Sequence, residues 1–374
     1  MPRVVIIGGG FGGLSAARRL RKRAPEADCT LIDRKETTDF LPMLPDLLSR
    51  RVGAELLCRD LAALASRIGF QFLHASVTSV DLKRKLVRTG AGPVEYDYLI
   101  IAGGSETDFH GRDDLREAAF TLDSVADALA LANAVETDDF DAVVVAGGGY
   151  TGVETATNLR RYFAKHAVEK RILLVEYGAS LVGSLETWMR DYVGRNLRAM
   201  DIDVALGASV DRVESGAVHL TDGRTVERAI LVWTAGVRAV DFVQKLDAEK
   251  CPRGRLEVDE FLRVNASCFA AGDAACVMHR DRPMRMAVQI SLDEGACAGE
   301  NVARLIRGRR LRRYRPRDLG WVVPMANDRS CGRALGFGVR GVAATALHYL
   351  MCILRTRGLA RKTALVADLL SRRR

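Results

Sequence analysis

The first residues of the chain show an apolar run, a glycine-rich turn and a helical repeat of apolar positions. Residues 4–7 carry mainly β-branched side chains, and glycines end this run before it is long enough for a helix. Residues 14–20 place apolar side chains at helical spacing, and a second apolar run, 29–32, ends at Asp33. The pattern predicts a buried strand, a tight turn, a helix and a second buried strand.

The predicted turn contains the sequence G-x-G-x-x-G, and each glycine meets a separate steric need. Gly8 permits the tight turn, Gly10 lets a diphosphate approach the backbone, and Gly13 lets the helix pack closely on the strand. Free N–H groups and the positive end of the helix dipole then face the diphosphate. Asp33, which follows Gly13 by 20 residues, is placed to accept hydrogen bonds from a ribose diol. Because strand, turn, helix and acid occur together, they predict a dinucleotide-binding unit.

The same order of elements returns 139 residues later. An apolar run at 142–146 precedes a second G-x-G-x-x-G, formed by Gly147, Gly149 and Gly152, and a helix and another strand follow. Like the first unit, the second ends on an acid, Glu176. Two such units imply two dinucleotides, and the economical pairing is a flavin that is held permanently and a nicotinamide that comes and goes.

Glu176 also predicts which nicotinamide binds. A carboxylate at the end of this strand bonds a ribose 2′-hydroxyl and repels a 2′-phosphate. Residues 177–179 contain no Arg or Lys that would attract the phosphate. The second unit is therefore expected to prefer NADH to NADPH.

Further runs of apolar residues place the remaining elements. They predict strands at 77–81, 85–87, 96–102 and 229–233, an apolar loop at 40–45 and a helix at 287–307. Another apolar run ends in the pair Gly272 and Asp273. Asp273 either caps a helix or bonds the ribityl chain of the flavin, and the predicted flavin site favours the second interpretation.

Charge is distributed unevenly along the 374 residues, whose formal net charge is +9. Residues 304–374 contain 18 basic and 3 acidic side chains, whereas the rest of the chain has 38 basic and 44 acidic ones. Eight arginines fall within 304–317, but Tyr314 is the only aromatic residue among them. Because platforms for base stacking are lacking, no nucleic-acid partner is expected.

The eight cysteines are scattered, with no C-x-x-C and no Cys/His cluster at metal-ligand spacing. This pattern predicts reduced thiols in a cytosol and neither a disulfide framework nor a metal site. No run of eighteen uncharged apolar residues occurs, so no transmembrane helix is expected. The first strand begins too early to leave room for a signal peptide.

These motifs together resemble the type II NADH dehydrogenases, single-subunit NADH:quinone oxidoreductases among the flavoproteins with two dinucleotide-binding domains. The resemblance rests on GGGFGG, YDYLIIAGG, VVVAGGGYTGVE, LLVEYG, VWTAGV and FAAGDAA, and extends from residue 4 to about residue 305. It implies an α/β fold with two Rossmann-like dinucleotide-binding domains, an FAD domain with an inserted NAD domain, and a C-terminal membrane-associating helical region. The expected ranges are 1–112 and 241–308 for FAD, 113–240 for NADH and 309–374 for the C-terminal region.

The resemblance implies FAD and NADH as cofactors and a quinone as the electron acceptor. Contacts with FAD are expected at Gly8, Gly10, Gly13, Asp33 and Asp273, and contacts with NADH at Gly147, Gly149, Gly152 and Glu176. Further cofactor-binding residues are expected at Phe11, Gly12, Arg34, Val77, Gly103, Gly104, Gly272 and Gly236. Glu154 matches a family glutamate near the nicotinamide–flavin stack, although a carboxylate there also suits the start of a helix. Gln289 matches the glutamine of the family's quinone-site motif.

The sequence departs from the family pattern near the expected quinone site. Asp293 and Glu294 replace two glutamines there, and Gly103 replaces a common threonine. An acid in a quinone tunnel would be desolvated and protonated, or else the acceptor is not a quinone. Two alternatives therefore stay open: a soluble NAD(P)H-dependent flavoprotein reductase of a protein or small molecule, and a non-catalytic nucleotide-binding redox sensor. No cysteine lies within 34–57 or 59–250, which argues against disulfide reductase or sulfide:quinone reductase chemistry.

The C-terminal region predicts association with an anionic membrane surface. Residues 341–354 are mostly apolar, but fourteen residues at ~1.5 Å rise give ~21 Å, less than the ~30 Å hydrocarbon core. A second amphipathic stretch, 359–370, follows, and cations flank both stretches, ending in arginines at 372–374. This pattern is typical of helices that lie in the interface between membrane and water. It predicts a cytoplasmic protein that is peripheral on the inner face of the cell membrane. Packing of these helices on the flavin domain, or a homodimer interface, is the alternative.

Overall fold

The structure is a computed structural model that describes residues 1–371. The arginines at 372–374, which are expected to flank the membrane-binding helices, lie outside the described residues. The strands of the amino-terminal part are β1 (Arg3–Ile7), β2 (Asp28–Asp33), β3 (Thr37–Asp39), β4 (Cys58–Asp60), β5 (Gln71–His74), β6 (Val77–Asp81), β7 (Leu86–Thr89), β8 (Gly92–Glu95), β9 (Tyr98–Ile101), β10 (Ser105–Thr107) and β11 (Ala119–Phe120). The strands that follow are β12 (Ala142–Ala146), β13 (Arg171–Glu176), β14 (Asp203–Leu206), β15 (Val210–Glu214), β16 (Ala217–Leu220), β17 (Thr225–Val226), β18 (Ala229–Trp233), β19 (Val237–Ala239), β20 (Leu256–Glu257), β21 (Cys268–Ala270), β22 (Ala275–Cys276), β23 (Met278–His279), β24 (Arg282–Pro283), β25 (Gly320–Val323), β26 (Ser330–Ala334) and β27 (Phe337–Gly341). The α-helices are α1 (Phe11–Arg23), α2 (Leu44–Leu48), α3 (Ala54–Leu57), α4 (Leu61–Ile68), α5 (Asp113–Ala118), α6 (Val125–Thr137), α7 (Tyr150–Lys165), α8 (Thr187–Ala199), α9 (Asp241–Gln244), α10 (Val288–Ile306), α11 (Val342–Arg355) and α12 (Leu359–Ser371).

The chain divides into two compact units, each built from three segments. Unit 1 contains Met1–Asp39, Arg59–Glu106 and Val237–Asp318. Unit 2 contains Phe40–Cys58, Thr107–Gly236 and the chain from Leu319 onward. The segment Phe40–Cys58 therefore packs in unit 2, although the sequence pattern placed it within the first FAD-binding range, 1–112. The chain from Leu319 onward also packs in unit 2, although it was expected to form part of a separate C-terminal region.

Unit 1 is built around a parallel sheet with the strand order β21-β9-β1-β2-β5. The central strand β1 aligns Ile7 with Ile32 of β2 and with Ile101 of β9, so these strands end at the same edge. Strands of a parallel sheet are covered on both faces and read as continuous apolar runs, which is why the sequence predicted β1 and β2 correctly. A three-stranded antiparallel sheet, β6-β7-β8, belongs to the same unit.

Helices α1 and α10 of unit 1 pack at unusually short distance. A Cβ atom on Gly295 would lie 2.0 Å from the carbonyl oxygen of Gly12, and one on Gly299 would lie 2.4 Å from that of Ala16. Any side chain at these two positions of α10 would push the helices apart, so glycine is required there. The predicted helix at 287–307 is confirmed as α10.

Unit 2 repeats the arrangement of unit 1. Its parallel sheet has the order β11-β18-β12-β13-β14, and β12 occupies the place that β1 has in unit 1. A three-stranded antiparallel sheet, β15-β16-β17, again accompanies it. Unit 2 additionally contains the antiparallel sheet β25-β26-β27 and the helices α11 and α12, which confirm the two helices predicted near the C-terminus.

The prediction of an apolar loop at 40–45 is wrong, because this segment is helical. A 3-10 turn, Leu41–Met43, runs directly into α2. The two prolines that suggested a loop lie in the first turns of these helices, where a missing N–H group has no helical partner to lose. Leu44 and Leu47 pack with Leu365 of α12 in one apolar cluster of unit 2.

The prediction that all cysteines are reduced is also wrong at one pair. Cys251 and Cys276 form a disulfide bond, with their Cα atoms 6.2 Å apart. Cys276 lies on β22, which pairs in parallel with β20, and β20 follows the loop that carries Cys251. Pairing of two-residue strands has no local sequence signal, so spacing alone did not reveal the bridge. Within residues 1–371, no helix is long and apolar enough to cross a membrane.

Two candidate dinucleotide sites

In unit 1, the first glycine turn connects β1 to α1 at the carboxyl end of the parallel sheet. Gly8 has a φ of +104°, and a Cβ atom there would lie 2.1 Å from the carbonyl oxygen of Ala102. A Cβ atom on Gly13 would lie 1.8 Å from the carbonyl oxygen of Gly8. A Cβ atom on Gly10, by contrast, would meet no heavy atom within 4 Å. Gly8 and Gly13 are therefore required by the turn itself, while Gly10 leaves the space that an approaching diphosphate needs.

The N-terminus of α1 is available to an anion. Its N-cap residue, Gly10, has no side-chain cap, and the first turn holds no acidic residue. Beside it, Asp33 Oδ2 accepts the N–H of Gly9 at 2.5 Å, and Oδ1 accepts the N–H of Lys35 at 2.8 Å. Each carboxylate oxygen keeps a further lone pair for a ribose hydroxyl. These residues fit the diphosphate and adenosine ribose of a bound dinucleotide.

Asp273 lies on the 3-10 turn Gly272–Ala274 that follows β21. Its Oδ2 atom accepts a hydrogen bond from the Ser105 hydroxyl at 2.8 Å, and it caps no helix. Burial raises the pKa of Asp273, while the Ser105 bond and the nearby Arg255 lower it. The Asp273 carboxylate is thereby fixed at the carboxyl edge of the sheet.

Glu294 supports the same turn from α10. Its Oε2 atom accepts the N–H of Gly272 at 2.7 Å, and its Oε1 atom is buried without a hydrogen-bond partner in the described part of the chain. Burial raises the pKa of Glu294 to about 8, against the opposing effects of the Gly272 bond and Arg255. Glu294 is therefore protonated at neutral pH, as expected for a desolvated acid here, and a protonated carboxyl can donate one bond and accept others as a glutamine amide does.

In unit 2, the second glycine turn connects β12 to α7 with the same geometry. Gly147 has a φ of +104°, and a Cβ atom there would lie 2.6 Å from the carbonyl oxygen of Thr234. A Cβ atom on Gly152 would lie 1.8 Å from the carbonyl oxygen of Gly147, and one on Gly149 would meet nothing within 4 Å. The N-terminus of α7 is likewise uncapped by a side chain and has no acid in its first turn. Unit 2 therefore offers a second place for a diphosphate.

Glu176 ends β13 as Asp33 ends β2. Its Oε2 atom accepts the N–H of Gly148 at 2.7 Å, and its Oε1 atom accepts the N–H of Gly178 at 2.7 Å. Both oxygens are oriented by the backbone and keep lone pairs for a ribose diol. Tyr177, the next residue, is largely exposed and brings no positive charge.

Glu154 is the fifth residue of α7 and is partly buried. Burial raises its pKa well above the ordinary value, and the negative charge of Asp46 acts in the same direction. Gln289 is the second residue of α10 and is partly exposed. Glu154 thus belongs to unit 2 and Gln289 to unit 1.

The remaining predicted contact residues follow strand ends or begin elements. Near the carboxyl ends of β1, β2, β9, β21 and β18 lie Phe11, Gly12, Arg34, Gly103, Gly104, Gly272 and Gly236. Arg34 is exposed, and its carbonyl oxygen accepts a bond from His74 Nε2 at 3.0 Å. A Cβ atom on Gly103 would lie 3.0 Å from the Phe242 ring, which occupies the space that a threonine would need. Val77 begins β6, in the antiparallel sheet of unit 1.

Sequence reasoning missed Ser105 and the group formed by Asp46, Arg51 and Tyr349. Ser105 directly follows the two glycines after β9, so its place at the edge of the sheet could have been expected from the parallel strand order. Asp46 and Tyr349 are 303 residues apart, and no motif connects them.

Residues 2–295 match the sequence profile of the pyridine nucleotide-disulphide oxidoreductase family. The chain belongs to this family. The α/β dinucleotide-binding fold that the sequence predicted is thereby confirmed.

Named relatives extend the match to most of the chain. An NADH dehydrogenase-like protein of Mycobacterium tuberculosis is 32% identical over 327 residues, which cover 81% of this chain and 80% of that protein. A type II NADH:quinone oxidoreductase of Staphylococcus saprophyticus is 25% identical over 370 residues, which cover 91% and 92%. The structure of NDH2 from Plasmodium falciparum in complex with NADH has a TM-score of 0.83 at 16% identity, covering 99% of this chain and 98% of that one. This last likeness concerns the fold.

Proposed function

We propose that the chain is an FAD-dependent NADH:quinone oxidoreductase. The observation that carries this function is the pair of open, uncapped glycine turns, each closed by a carboxylate, in a chain similar over 91% of its length to a type II NADH:quinone oxidoreductase. FAD, when bound, would supply the chemistry that transfers two electrons from NADH to the quinone. The protein supplies binding, orientation and one proton.

The residues of unit 1 hold the flavin in this proposal. The N-terminus of α1 binds the diphosphate, Asp33 binds the adenosine ribose, and Asp273 binds the ribityl chain. The bond between Asp273 and Ser105 orients the carboxylate before the flavin arrives. Gln289, near the N-terminus of α10, is assigned to the quinone, and Glu294 is assigned to the flavin turn because it already bonds Gly272.

The residues of unit 2 hold NADH and deliver a proton. The N-terminus of α7 binds the diphosphate of NADH, and Glu176 binds its adenosine ribose. Reduction of a quinone to a quinol consumes one proton beyond the hydride of NADH. Glu154 is assigned as its donor, because burial raises its pKa well above the ordinary value and so favours the protonated form.

Thiol chemistry is not part of the proposal, although the family takes its name from disulphide reduction. No cysteine lies between Cys29 and Cys58 in the sequence. Burial raises the pKa of Cys29 to about 12 and raises that of Cys268 further, so neither thiol is a reactive thiolate.

We further propose that α11 and α12 bind an anionic membrane surface with one face. One side of this helix pair is buried, since Cys352 and Leu365 are each 1% exposed within unit 2. The other side exposes at least half of each leucine side chain at Leu350, Leu354, Leu359 and Leu370. Arg357 lies exposed between the two helices, and we assign its charge to the same surface. The predicted packing of these helices on the protein and their predicted membrane contact therefore involve different faces.

Steady-state oxidation of NADH tests the proposed activity. We expect the flavin-loaded protein to oxidise NADH faster with a short-chain quinone than with oxygen as the acceptor. Ferricyanide reduction is the positive control for hydride transfer. Ferricyanide reduction without quinone reduction would favour the alternative of a reductase for another acceptor. Failure to reduce either acceptor would favour a nucleotide-binding redox sensor.

A further inference from the structure

A buried group of hydrogen-bonded side chains joins the start of unit 2 to helix α11. Tyr349 of α11 donates its hydroxyl hydrogen to Asp46 Oδ1 at 2.7 Å. Arg51 donates from Nη1 to the Tyr349 hydroxyl at 2.9 Å and from Nη2 to Asp328 Oδ1 at 2.6 Å. Asp46 is only 5% exposed and Arg51 only 1%. Groups this deeply buried are held in one geometry by their partners.

The same group lies against the helix that carries Glu154. The Ser49 hydroxyl donates to Asn158 Oδ1 at 2.6 Å, and Asn158 Nδ2 donates to the carbonyl oxygen of Glu154 at 3.0 Å. Asp46 and Ser49 are three residues apart, and Glu154 and Asn158 are four apart, so each pair shares one helix face. The contact between Ser49 and Asn158 therefore turns the face with Asp46 toward the face with Glu154. The electrostatic effect of Asp46 on Glu154 agrees with this placement.

We propose that Asp46, fixed by Tyr349 and Arg51, is a positioning residue that adds to the effect of burial and favours the proton-donating form of Glu154. The inference rests on the proposed function, in which Glu154 supplies a proton to the reduced quinone. NADH contributes two electrons and one proton as hydride, Glu154 contributes the second proton, and the resulting carboxylate regains a proton from solvent. The quinone leaves as quinol and NADH leaves as NAD⁺, so atoms and electrons balance. Asp46 transfers nothing and acts through its charge alone.

Asp46 is the charged group that raises the pKa of Glu154 in addition to burial. The ionisable groups that act on Asp46 or lie around it on the packed elements are Arg51, Arg161, Asp328, His348, Tyr349, Cys352 and Arg355. Burial raises the pKa of Asp46 to about 6, while the Tyr349 bond and Arg51 lower it, so Asp46 is charged at neutral pH. Burial lowers the pKa of His348 to about 4, which leaves that ring neutral. Arg51 and Arg161 each pair with Asp328, and the charge that acts on Glu154 beside the effect of burial is that of Asp46.

Infrared spectroscopy of the full-length protein, with and without flavin, tests the proposal. The carbonyl band of the protonated Glu154 carboxyl is identified by its absence in Glu154→Gln. We expect Asp46→Asn to shift the titration of this band to lower pH by about one unit or more, because a close like charge is removed. Tyr349→Phe should shift it in the same direction by less, since Asp46 then loses the bond that favours its charged form. Asp191→Asn, the same substitution at an exposed position of α8, should leave the titration unchanged.

Each outcome separates the inference from the function on which it rests. Unchanged titration in both Asp46→Asn and Tyr349→Phe overturns the positioning role, and Tyr349→Phe alone decides it if Asp46→Asn does not fold. In the flavin-loaded protein, the alkaline limb of the kcat profile should move with the band, at unchanged KM for NADH. A shifted band in Asp46→Asn combined with full quinone reduction by Glu154→Gln would retain the coupling but overturn Glu154 as the proton donor.

Discussion

Glu176 Oε2 accepts the backbone N–H of Gly148 at 2.7 Å, so the acid that ends β13 also closes the glycine turn after β12. Asp33 makes the equivalent bond to Gly9 at 2.5 Å in unit 1. In both units one carboxylate thus fixes the shape of the glycine turn and keeps lone pairs for the ribose that we propose it binds. A substitution at either acid is therefore expected to change the turn as well as the proposed nucleotide contact.

We expect the protein to prefer NADH to NADPH, and Glu176→Ala to reduce that preference by about tenfold or more. The reason is that Glu176 bonds a 2′-hydroxyl and repels a 2′-phosphate. The measurement is kcat/KM for both nucleotides with ferricyanide as the acceptor. Glu176→Gln is the comparison, because it removes the charge but keeps an acceptor for one of the two backbone N–H groups. Equal kcat/KM values for the two nucleotides in the unmodified protein would contradict the assignment.

The second prediction concerns the flavin turn. Asp273→Ala should weaken FAD binding by about tenfold to hundredfold, since a charged hydrogen bond to the ribityl chain is lost. Ser105→Ala should weaken it less, because it removes only the residue that orients the carboxylate. Flavin occupancy after gel filtration, together with the affinity of the apoprotein for FAD, measures both effects. Full occupancy and unchanged affinity in Asp273→Ala would show that this turn does not hold the flavin.

Glu294 predicts a pH dependence of stability. Its folded-state pKa of about 8 lies above the ordinary value of 4.5, so its favourable contribution is complete below pH 4.5 and is lost as the pH rises toward 8. The free energy of unfolding should therefore fall across this window, by up to about 1.4 kcal/mol per pH unit from this group. Glu294→Gln should flatten that decline while keeping an acceptor for the Gly272 N–H. Urea unfolding of both proteins across the window decides it, and parallel curves would refute the prediction.

The disulfide predicts a defined thiol count. Under denaturing, non-reducing conditions an alkylating reagent should modify the six free cysteines, and two further thiols, Cys251 and Cys276, should react only after reduction. Because the bridge closes a 25-residue separation, Cys251→Ser should lower the free energy of unfolding by about 3 kcal/mol. Cys297→Ser, at a partly buried free thiol, is the control. Eight reactive thiols before reduction would show that the bridge does not form in solution.

The membrane prediction is tested with surface substitutions. Deleting the helices would uncover Leu44 and Leu47, which pack with Leu365, so a truncation would disturb the folding of unit 2. Replacing Leu350, Leu354, Leu359 and Leu370 together by glutamine should instead reduce binding to anionic liposomes by more than about tenfold, with ferricyanide activity retained. Leu129→Gln, at an exposed leucine of α6, should have no effect in the flotation assay. Undiminished, salt-insensitive binding by the fourfold variant would exclude this face as the anchor.

The sequence predicted those features whose cause is local. The sequence predicted β1, β12 and their glycine turns because buried parallel strands and close approach of the backbone restrict the residue types at each position. The bond between Tyr349 and Asp46 was not readable, because either residue has an ordinary neighbourhood in the sequence. The helical turn at Pro42 was predicted as a loop, because proline is common both in loops and in the first turns of helices. No local pattern records which of two cores the segment 40–58 joins.

The close contact of Gly295 and Gly299 with α1 has a consequence for biosynthesis. Strand β21 belongs to the same sheet as β1, and helix α10 packs on α1. Both late elements therefore join the first two elements of the chain. A ribosome must therefore synthesise the segment Thr107–Gly236 of unit 2 and continue past residue 306 before unit 1 can close. Contacts of such long sequence separation form slowly. The flavin binding that we propose for unit 1 is accordingly possible only late in synthesis, because β1 and α1 must be held until β21 and α10 have been made.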